Sequence, residues 1–349
     1  MGAQNVAAQN GRVLFAGDAD VLARANICSR FAERILILTG SFKAGSFTEL
    51  FDQVRALPWE DYIAKDDAFP VKGWSLNSKL HSVPDCQKII KKAVVERLKE
   101  KYGLNWLPET AKRVQIQFSI LKDEVSVMID TSGEGLHKRG YRAKATDAPI
   151  KETLAAALAS LARIYPDTKL YDPFCGSGTI LIEAALIANH IAPGLKRHFA
   201  CENFYFMEDA VFRSERERAL DLVKRTPDFH AFGSDIDETA LALCQKNAKL
   251  AGVQNSISVQ KADIKDFKLQ GERGLVITNP PYGERLLDIE AARRLYQTAG
   301  SRFIKQKGWK YYIITPDEQF ESIFGRTADK RRKLYNGSIK CQFYMYFRG

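Results

Sequence analysis

Asn279-Pro280-Pro281-Tyr282 follows directly on the apolar run Val276-Ile277-Thr278, and this order of residue types points to chemistry. Proline has no N–H to give a sheet ladder, so a strand must end here, and two fixed φ angles make the corner stiff. A stiff corner can aim the Asn279 amide oxygen and the Pro280 carbonyl at one point. Two acceptors aimed together suit a group with two N–H donors, such as the exocyclic amine of a nucleobase. That nitrogen is a weak nucleophile because its lone pair is delocalised into the ring. Gripping both hydrogens favours a pyramidal nitrogen with a directed lone pair. Tyr282 offers a ring to a base already out of its stack, a contact worth about 1–3 kcal/mol. Alignment and electrostatics then carry an in-line displacement, with no metal or covalent nucleophile expected. The competing reading is a Pro-Pro loop over a buried tyrosine. Arg285 is read either as a phosphate contact or as a surface partner of Glu284.

A methyl or similar carbon must be delivered to that amine, and a second motif suggests how. In "KLYDPFCGSGTILIEAA", Asp172, Gly176 and Gly178 lie between a strand and a helix. Glycines let backbone approach a ligand, and a helix N-terminus offers N–H groups to an anion. A dinucleotide fold prefers a third glycine at 181, where this chain has leucine. Asp172 would also repel a pyrophosphate. It suits a cationic group, and S-adenosylmethionine has an ammonium and a sulfonium for Asp172 and a carboxylate for the helix end. Asp235 ends a later strand, where a carboxylate can accept ribose hydroxyls. Asp263 ends the next, within reach of an adenine amino group. Asp237 is expected to cap the following helix.

The elements that position these residues alternate strand and helix from about Lys151 onward, which builds a parallel sheet with helices on both faces. Asn336-Gly337 marks a two-residue type I′ hairpin at the end, so one strand runs antiparallel. A polar insertion occupies about 195 to 228. The first half reads as α+β. It has strand-like "GRVLFAG" and "ILILTGSF", a helix behind Asp18, and a helix opened by Ser46 and Glu49 as a capping box. A lysine-rich helix follows with Ile90, Val94 and Leu98 on one face, then a hairpin turning at Lys122-Asp123. Between the halves, His137, Lys138, Arg139, Arg142 and Lys144 form a basic connector. It reads either as a solvated linker or as a phosphate-contacting seam.

The chain has 349 residues, 45% hydrophobic and 27% charged, with a net charge of +10. That charge favours a polyanionic partner. No apolar run reaches the roughly 18 residues of a membrane helix, and the start lacks a secretory pattern. Six scattered cysteines without a CxxC pair fit free thiols in a reducing cytoplasm. His198 and Cys201 have HxxC spacing but no second ligand pair, so no metal is expected.

"DPFCGSGT" with "TNPPYGERL" resembles the amino-methylating class I methyltransferases. "FPVKGWSLNSKLHSVPDCQKIIKKAV" resembles a THUMP domain, and "LHKRGYR" with "APIKETLAAAL" is similar to the junction of THUMP-containing bacterial RNA methylases. The group that modifies guanine N2 in large-subunit ribosomal RNA is most similar. This resemblance implies a Rossmann-like α/β methyltransferase fold, a mostly parallel seven-stranded sheet with one antiparallel strand, preceded by an α+β ferredoxin-like and THUMP region for RNA capture. The implied domains are a ferredoxin-like piece at 1–58, THUMP at 59–132, a linker at 133–150 and the methyltransferase at 151–349. It implies S-adenosyl-L-methionine as cofactor, with Asp172, Pro173, Phe174, Gly176, Ser177, Gly178, Thr179, Asp235, Ile236, Asp263 and Ile264 binding it and Thr153 a further candidate. It implies Asn279, Pro280, Pro281 and Tyr282 as catalytic. No strand is legible before Gly11, so the ferredoxin-like piece reads as short of its first elements. Transfer RNA, adenine N6 in DNA or RNA, and a non-enzymatic RNA-binding assembly factor stand as alternatives.

Overall fold

The computed structural model describes residues 2–9, 11–142, 150–224, 228–283 and 288–348. In chain order the elements begin β1 (Gln4–Gln9), β2 (Arg12–Ala16), α1 (Ala19–Cys28), β3 (Leu36–Lys43), α2 (Phe47–Arg55), β4 (Val71–Leu76), α3 (Val83–Tyr102), β5 (Ile116–Leu121) and β6 (Glu124–Asp130). Next come α4 (Glu152–Leu161), β7 (Lys169–Asp172), α5 (Thr179–Ala188), α6 (Asp209–Asp221), β8 (His230–Asp235), α7 (Glu238–Ala251) and β9 (Ile257–Lys261). The last are β10 (Gly274–Thr278), α8 (Ile289–Arg302), β11 (Trp309–Thr315), α9 (Phe320–Phe324), β12 (Lys330–Asn336) and β13 (Ile339–Tyr346). They form two compact units. One holds Met1–Leu136 with Arg197–Arg218, the other His137–Lys196 with Ala219–Gly349.

In the first unit, a four-stranded sheet runs β3-β6-β5-β4, with β4 parallel to β5 and the other pairs antiparallel. Lys122 and Asp123 turn the β5–β6 hairpin, both at positive φ, the signature of a type I′ turn. Ile90, Val94 and Leu98 of α3 are fully buried, as their one-face spacing requires. Gly103 ends that helix in the left-handed region. Asp18 caps α1 by accepting from Val21 N at 2.9 Å. The capping box at α2 is only half made. Ser46 accepts from Glu49 N, but Glu49 turns its carboxylate to Gly45 N.

One sequence expectation is corrected here. A strand does precede Gly11: β1 pairs antiparallel with β2. All six of its residues are exposed, so it carries no apolar alternation by which to be read. The polar insertion carries a helix of its own. Its helix α6 is held by Glu215, which takes a two-pronged bond from Arg24 of α1 at 2.8 and 2.5 Å, and by Arg216, which pairs with Glu202.

The second unit is a seven-stranded sheet in the order β12-β13-β11-β10-β7-β8-β9. Only β13 runs against the direction of the other six strands. The β12–β13 turn is shifted by one residue from the expected register. Asn336 pairs with Ile339, so Gly337 and Ser338 are its central residues. Of these only Gly337 has positive φ, the type II′ pattern. Strand residues alternate between two cores. Leu275 and Ile277 pack with α4, α5 and α7, while Val276 packs with α8 and α9. A sheet covered on both faces explains why β10 and the Tyr311–Ile314 stretch of β11 read as apolar runs without alternation. No described helix is long and apolar enough to cross a membrane.

Candidate active site

The carboxyl ends of β10, β7 and β8 lie side by side, and the loops leaving them are tied together. Asp172 ends β7 almost fully buried. Its Oδ1 accepts from Thr278 Oγ1 at 2.6 Å and from Phe174 N at 3.1 Å, whereas Oδ2 has no partner among the described residues. Thr278 is the residue before Asn279. One bond therefore fixes the glycine corner to the proline corner.

Burial raises the Asp172 carboxyl to about 7, against the lowering by its Thr278 and Phe174 hydrogen bonds; the Asp235 charge adds to the rise. A carboxylate left so poorly compensated, with one oxygen open, gains most from a cation.

The glycine loop turns on this acid. Gly178 N donates to Cys175 O at 2.8 Å, Gly176 N to Asp235 Oδ2 at 2.8 Å, and Asn247 Nδ2 to Ser177 O at 3.2 Å. Gly178 has φ +82, and a Cβ there would lie 2.2 Å from Cys244 Sγ, so no side chain fits. Gly176 also has positive φ, but open space surrounds it, leaving room for a ligand beside its backbone.

Pro173, Ser177 and Thr179 are buried, and Phe174 is half-buried against the α8 core. Asp235 also accepts from Asp237 N, so each of its oxygens already holds one amide and keeps further lone-pair capacity. Ile236 beside it is 68% exposed, an apolar surface at the strand end. Asp237 caps α7 through Thr239 N, as expected.

The remaining candidates stand further from this joint. Asp263 lies beyond β9, near Asp235 through the Ala262 N to Asp235 O bond. Its carboxylate caps a short helical turn at Lys265 N, which lowers its pKa. Ile264 is core. Thr153 sits half-buried in the first turn of α4 with no bond to the loop. The two connector arginines that are described are engaged by acids and are not freely solvated. Arg139 is buried against Glu183, and Arg142 pairs with Glu152 and donates to Thr179 Oγ1 at 3.1 Å. Lys144, Glu284 and Arg285 lie outside the described residues. His198 is exposed beside Glu202, while Cys201 is fully buried.

The proline corner is held by residues whose roles the sequence does not announce. Tyr296 of α8 donates to Pro281 O at 2.7 Å and accepts from Thr315 Oγ1 at 3.1 Å. No described group donates to the Pro280 carbonyl. Tyr282 packs against the α5-side core, and its hydroxyl donates to Asn279 Oδ1 at 2.5 Å. Burial holds its pKa far above the ordinary phenol value. The stacking ring expected from the sequence therefore serves here first as a hydrogen-bond donor to its neighbour. Asn279 Oδ1 keeps a second lone pair.

A buried acid with an open oxygen, a glycine loop and a carbonyl-bearing proline corner at the carboxyl edge of such a sheet define a nucleoside-binding transferase of the doubly wound class. The chain belongs to the RMKL-like methyltransferase family, whose domain matches residues 139–345; a THUMP domain matches residues 44–130 and an RlmL ferredoxin-like domain residues 1–36. It is 44% identical over 340 residues to "Putative RNA methyltransferase YpsC" of Bacillus subtilis (strain 168), covering 97% of this chain and 88% of that protein. It is 34% identical to Ribosomal RNA large subunit methyltransferase K/L of Cellvibrio japonicus (strain Ueda107), covering 96% of this chain but only 46% of that longer protein.

Among solved structures, SMU.472, described as "a putative methyltransferase complexed with SAH", superposes with TM-score 0.92 at 42% identity over 100% of this chain and 92% of that one. A "predicted N6-adenine-specific DNA methylase" from Listeria monocytogenes str. 4b F2365 gives TM-score 0.94 at 46% identity, over 100% and 90%.

Proposed function

We propose that this chain methylates the exocyclic N2 amine of a guanine in RNA, with large-subunit ribosomal RNA as the preferred substrate and S-adenosyl-L-methionine as the donor. The observation that carries the reading is the Thr278–Asp172 bond, which places an acid suited to a cation next to a corner bearing free acceptors. The residues fit the cofactor. Asp172 Oδ2 is open to an ammonium, the space around Gly176 admits a ligand against backbone, Asp235 retains acceptor capacity for ribose, and Ile236 offers an apolar face to a base. When bound, the cofactor supplies an electrophilic methyl group on a sulfonium. Asn279 Oδ1 and Pro280 O accept the two amine hydrogens and orient the nitrogen lone pair. On taking that methyl group the amine nitrogen held by Asn279 and Pro280 would give up one proton to water.

The proline corner serves guanine, adenine and cytosine amines alike, so the choice of guanine rests on the motif resemblance to the guanine-N2 group, and that of ribosomal RNA on the names of the K/L relatives. The THUMP match favours RNA over the DNA substrate in the Listeria protein's description. The test is tritiated S-adenosylmethionine with total RNA and, separately, genomic DNA. Label in RNA that vanishes in Asn279→Ala and maps to N2-methylguanosine supports the reading. Label in adenine or in DNA replaces it with the alternative, and RNA binding without label indicates an assembly factor.

A further inference from the structure

The hydroxyl of Tyr282 sits among three polar neighbours. It donates to Asn279 Oδ1 at 2.5 Å, Asn336 Nδ2 approaches it at 3.4 Å, and Cys341 Sγ lies 3.7 Å away. A phenol has one hydrogen and two acceptor positions. The single S–H of Cys341 has a second acceptor in Ile339 O, so Asn336 is the steadier donor to Tyr282. While Asn336 fills an acceptor position on the phenol oxygen, the phenol hydrogen is left for Asn279.

We propose that Asn336, the last residue of β12, is a positioning residue for the transfer reaction: through the Tyr282 hydroxyl it fixes which atom of the Asn279 carboxamide faces the substrate. An asparagine side chain is nearly symmetric in shape, and its neighbours decide which end is oxygen. A phenol donating to one end pins oxygen there. Were the carboxamide to turn over, Asn279 would offer N–H to an amine that also offers N–H, and the grip would fail. The β12–β13 hairpin thus does more than close the sheet edge. Its turn brings Asn336, and its second strand Cys341, against the catalytic corner. The relay rests on Asn279 being the acceptor for the amine, the reading proposed above.

Asn336→Asp and Asn336→Ala separate this role from packing. Aspartate has nearly the shape of asparagine but accepts instead of donating, so it draws the phenol hydrogen away from Asn279. Alanine merely removes the donor. In steady-state methyl transfer, kcat should fall about 100-fold in Asn336→Asp and only about 5-fold in Asn336→Ala. KM for the cofactor, affinity for S-adenosylhomocysteine and thermal midpoint should hold.

A packing role predicts the reverse order, with the smaller side chain worse; that order, or equal rates in all three proteins, overturns the relay. A second readout needs no turnover. The chain contains 13 tyrosines, and in protein labelled with carbon-13 at tyrosine Cζ the Tyr282 resonance is assigned by its loss in Tyr282→Phe. It should move in Asn336→Asp when donation switches partner. An unmoved resonance sinks the relay even if the chain transfers no methyl at all, whereas a moved resonance in an inactive chain leaves the relay standing and removes the guanine reading alone.

Discussion

The two corners of the candidate active site are built by different means. The glycine corner is held by what its own motif supplies and by acids at strand ends. Gly178 fits where a side chain would collide with Cys244, and Gly176 N is fixed by Asp235. Asp172 closes over Phe174 N. The proline corner is held by ordinary polar side chains from elsewhere: Tyr296 on α8, Thr315 at the end of β11, Asn336 and Cys341 on the final hairpin. In the first corner substitution should act through sterics and a buried charge, in kilocalories and decades of affinity. In the second it should act through single neutral hydrogen bonds, each of which contributes modestly.

The comparison is broken most directly at Gly178. Alanine there must hold φ +82 and place Cβ against Cys244 Sγ. Left-handed backbone costs an L-residue roughly 1–2 kcal/mol, and overpacking a tight core adds about 1–3 kcal/mol. Gly178→Ala should therefore lose about 3 kcal/mol in denaturant unfolding and bind S-adenosylhomocysteine too weakly for calorimetry. Adding Cys244→Ala removes the collision but not the backbone strain, so the double variant should recover about half of the loss. A single variant as stable as wild type would show that the loop relaxes freely.

Asp172 comes next, and its two effects have opposite signs. Its carboxyl has a folded value near 7 against an ordinary 3.8, so the native chain holds that proton more tightly than the unfolded chain. Stability from this group falls as pH rises from about 4 to about 7, and the penalty, on the order of 4 kcal/mol, is complete above that. Affinity for a cationic ligand runs the other way, because the anion must form before it binds. S-adenosylhomocysteine, which retains the ammonium, should bind more tightly as pH rises through 7. Asp172→Asn should weaken binding about 100-fold while raising the melting temperature of the ligand-free chain at pH 8. A variant that loses both affinity and stability would mean that the acid is structural.

Thr278→Val tests the joint between the corners. Valine keeps the shape and removes the hydroxyl, one of the two bonds that lower the Asp172 pKa. The pH at which S-adenosylhomocysteine binding is half-developed should shift upward, and affinity at pH 7 should drop about 10-fold, the worth of a hydrogen bond to a charged group. An unchanged pH profile would separate the two corners.

The same contrast explains what could be read in advance. Gly176, Gly178, Asp172 and Asp235 announce themselves jointly, because a glycine loop and acidic strand ends converge on the carboxyl edge of one sheet. The parallel sheet was legible from the alternation of helix and strand, and the antiparallel β13 from a turn dipeptide, even though the turn sits one residue later than that dipeptide suggests. Tyr296 and Thr315 gave no such signal. On α8, Tyr296 falls on the apolar face with Ala292 and Ala299 and reads as core, which it also is. β1 was invisible because nothing covers it, and Gln4–Gln9 has no hydrophobic period to detect. Asn336 was read for its turn propensity, although its side chain meets Tyr282 through a contact 54 residues apart in sequence. Arg139 and Arg142 misled because clustered basic residues suggest solvent or phosphate, while Glu183 and Glu152, which neutralise them, lie on α5 and α4.

The smallest effect should come from Tyr296→Phe. The hydroxyl donates to Pro281 O and accepts from Thr315; Thr315 is fully buried and Pro281 half-buried. Phenylalanine fills the same space among Phe320 and its neighbours, so packing is kept and only the bond is lost. Leaving that carbonyl and the Thr315 hydroxyl unpaired should cost about 1–2 kcal/mol of stability. The consequence for catalysis is indirect. A Pro281 carbonyl freed from Tyr296 loosens the peptide that follows Pro280, so the acceptor meant for the amine is less firmly aimed, and kcat should fall about 3- to 10-fold with cofactor affinity unchanged. If Tyr296→Phe instead weakened S-adenosylhomocysteine binding by a decade, the two corners would be one mechanical unit, and the division between a steric corner and a hydrogen-bonded corner would fail.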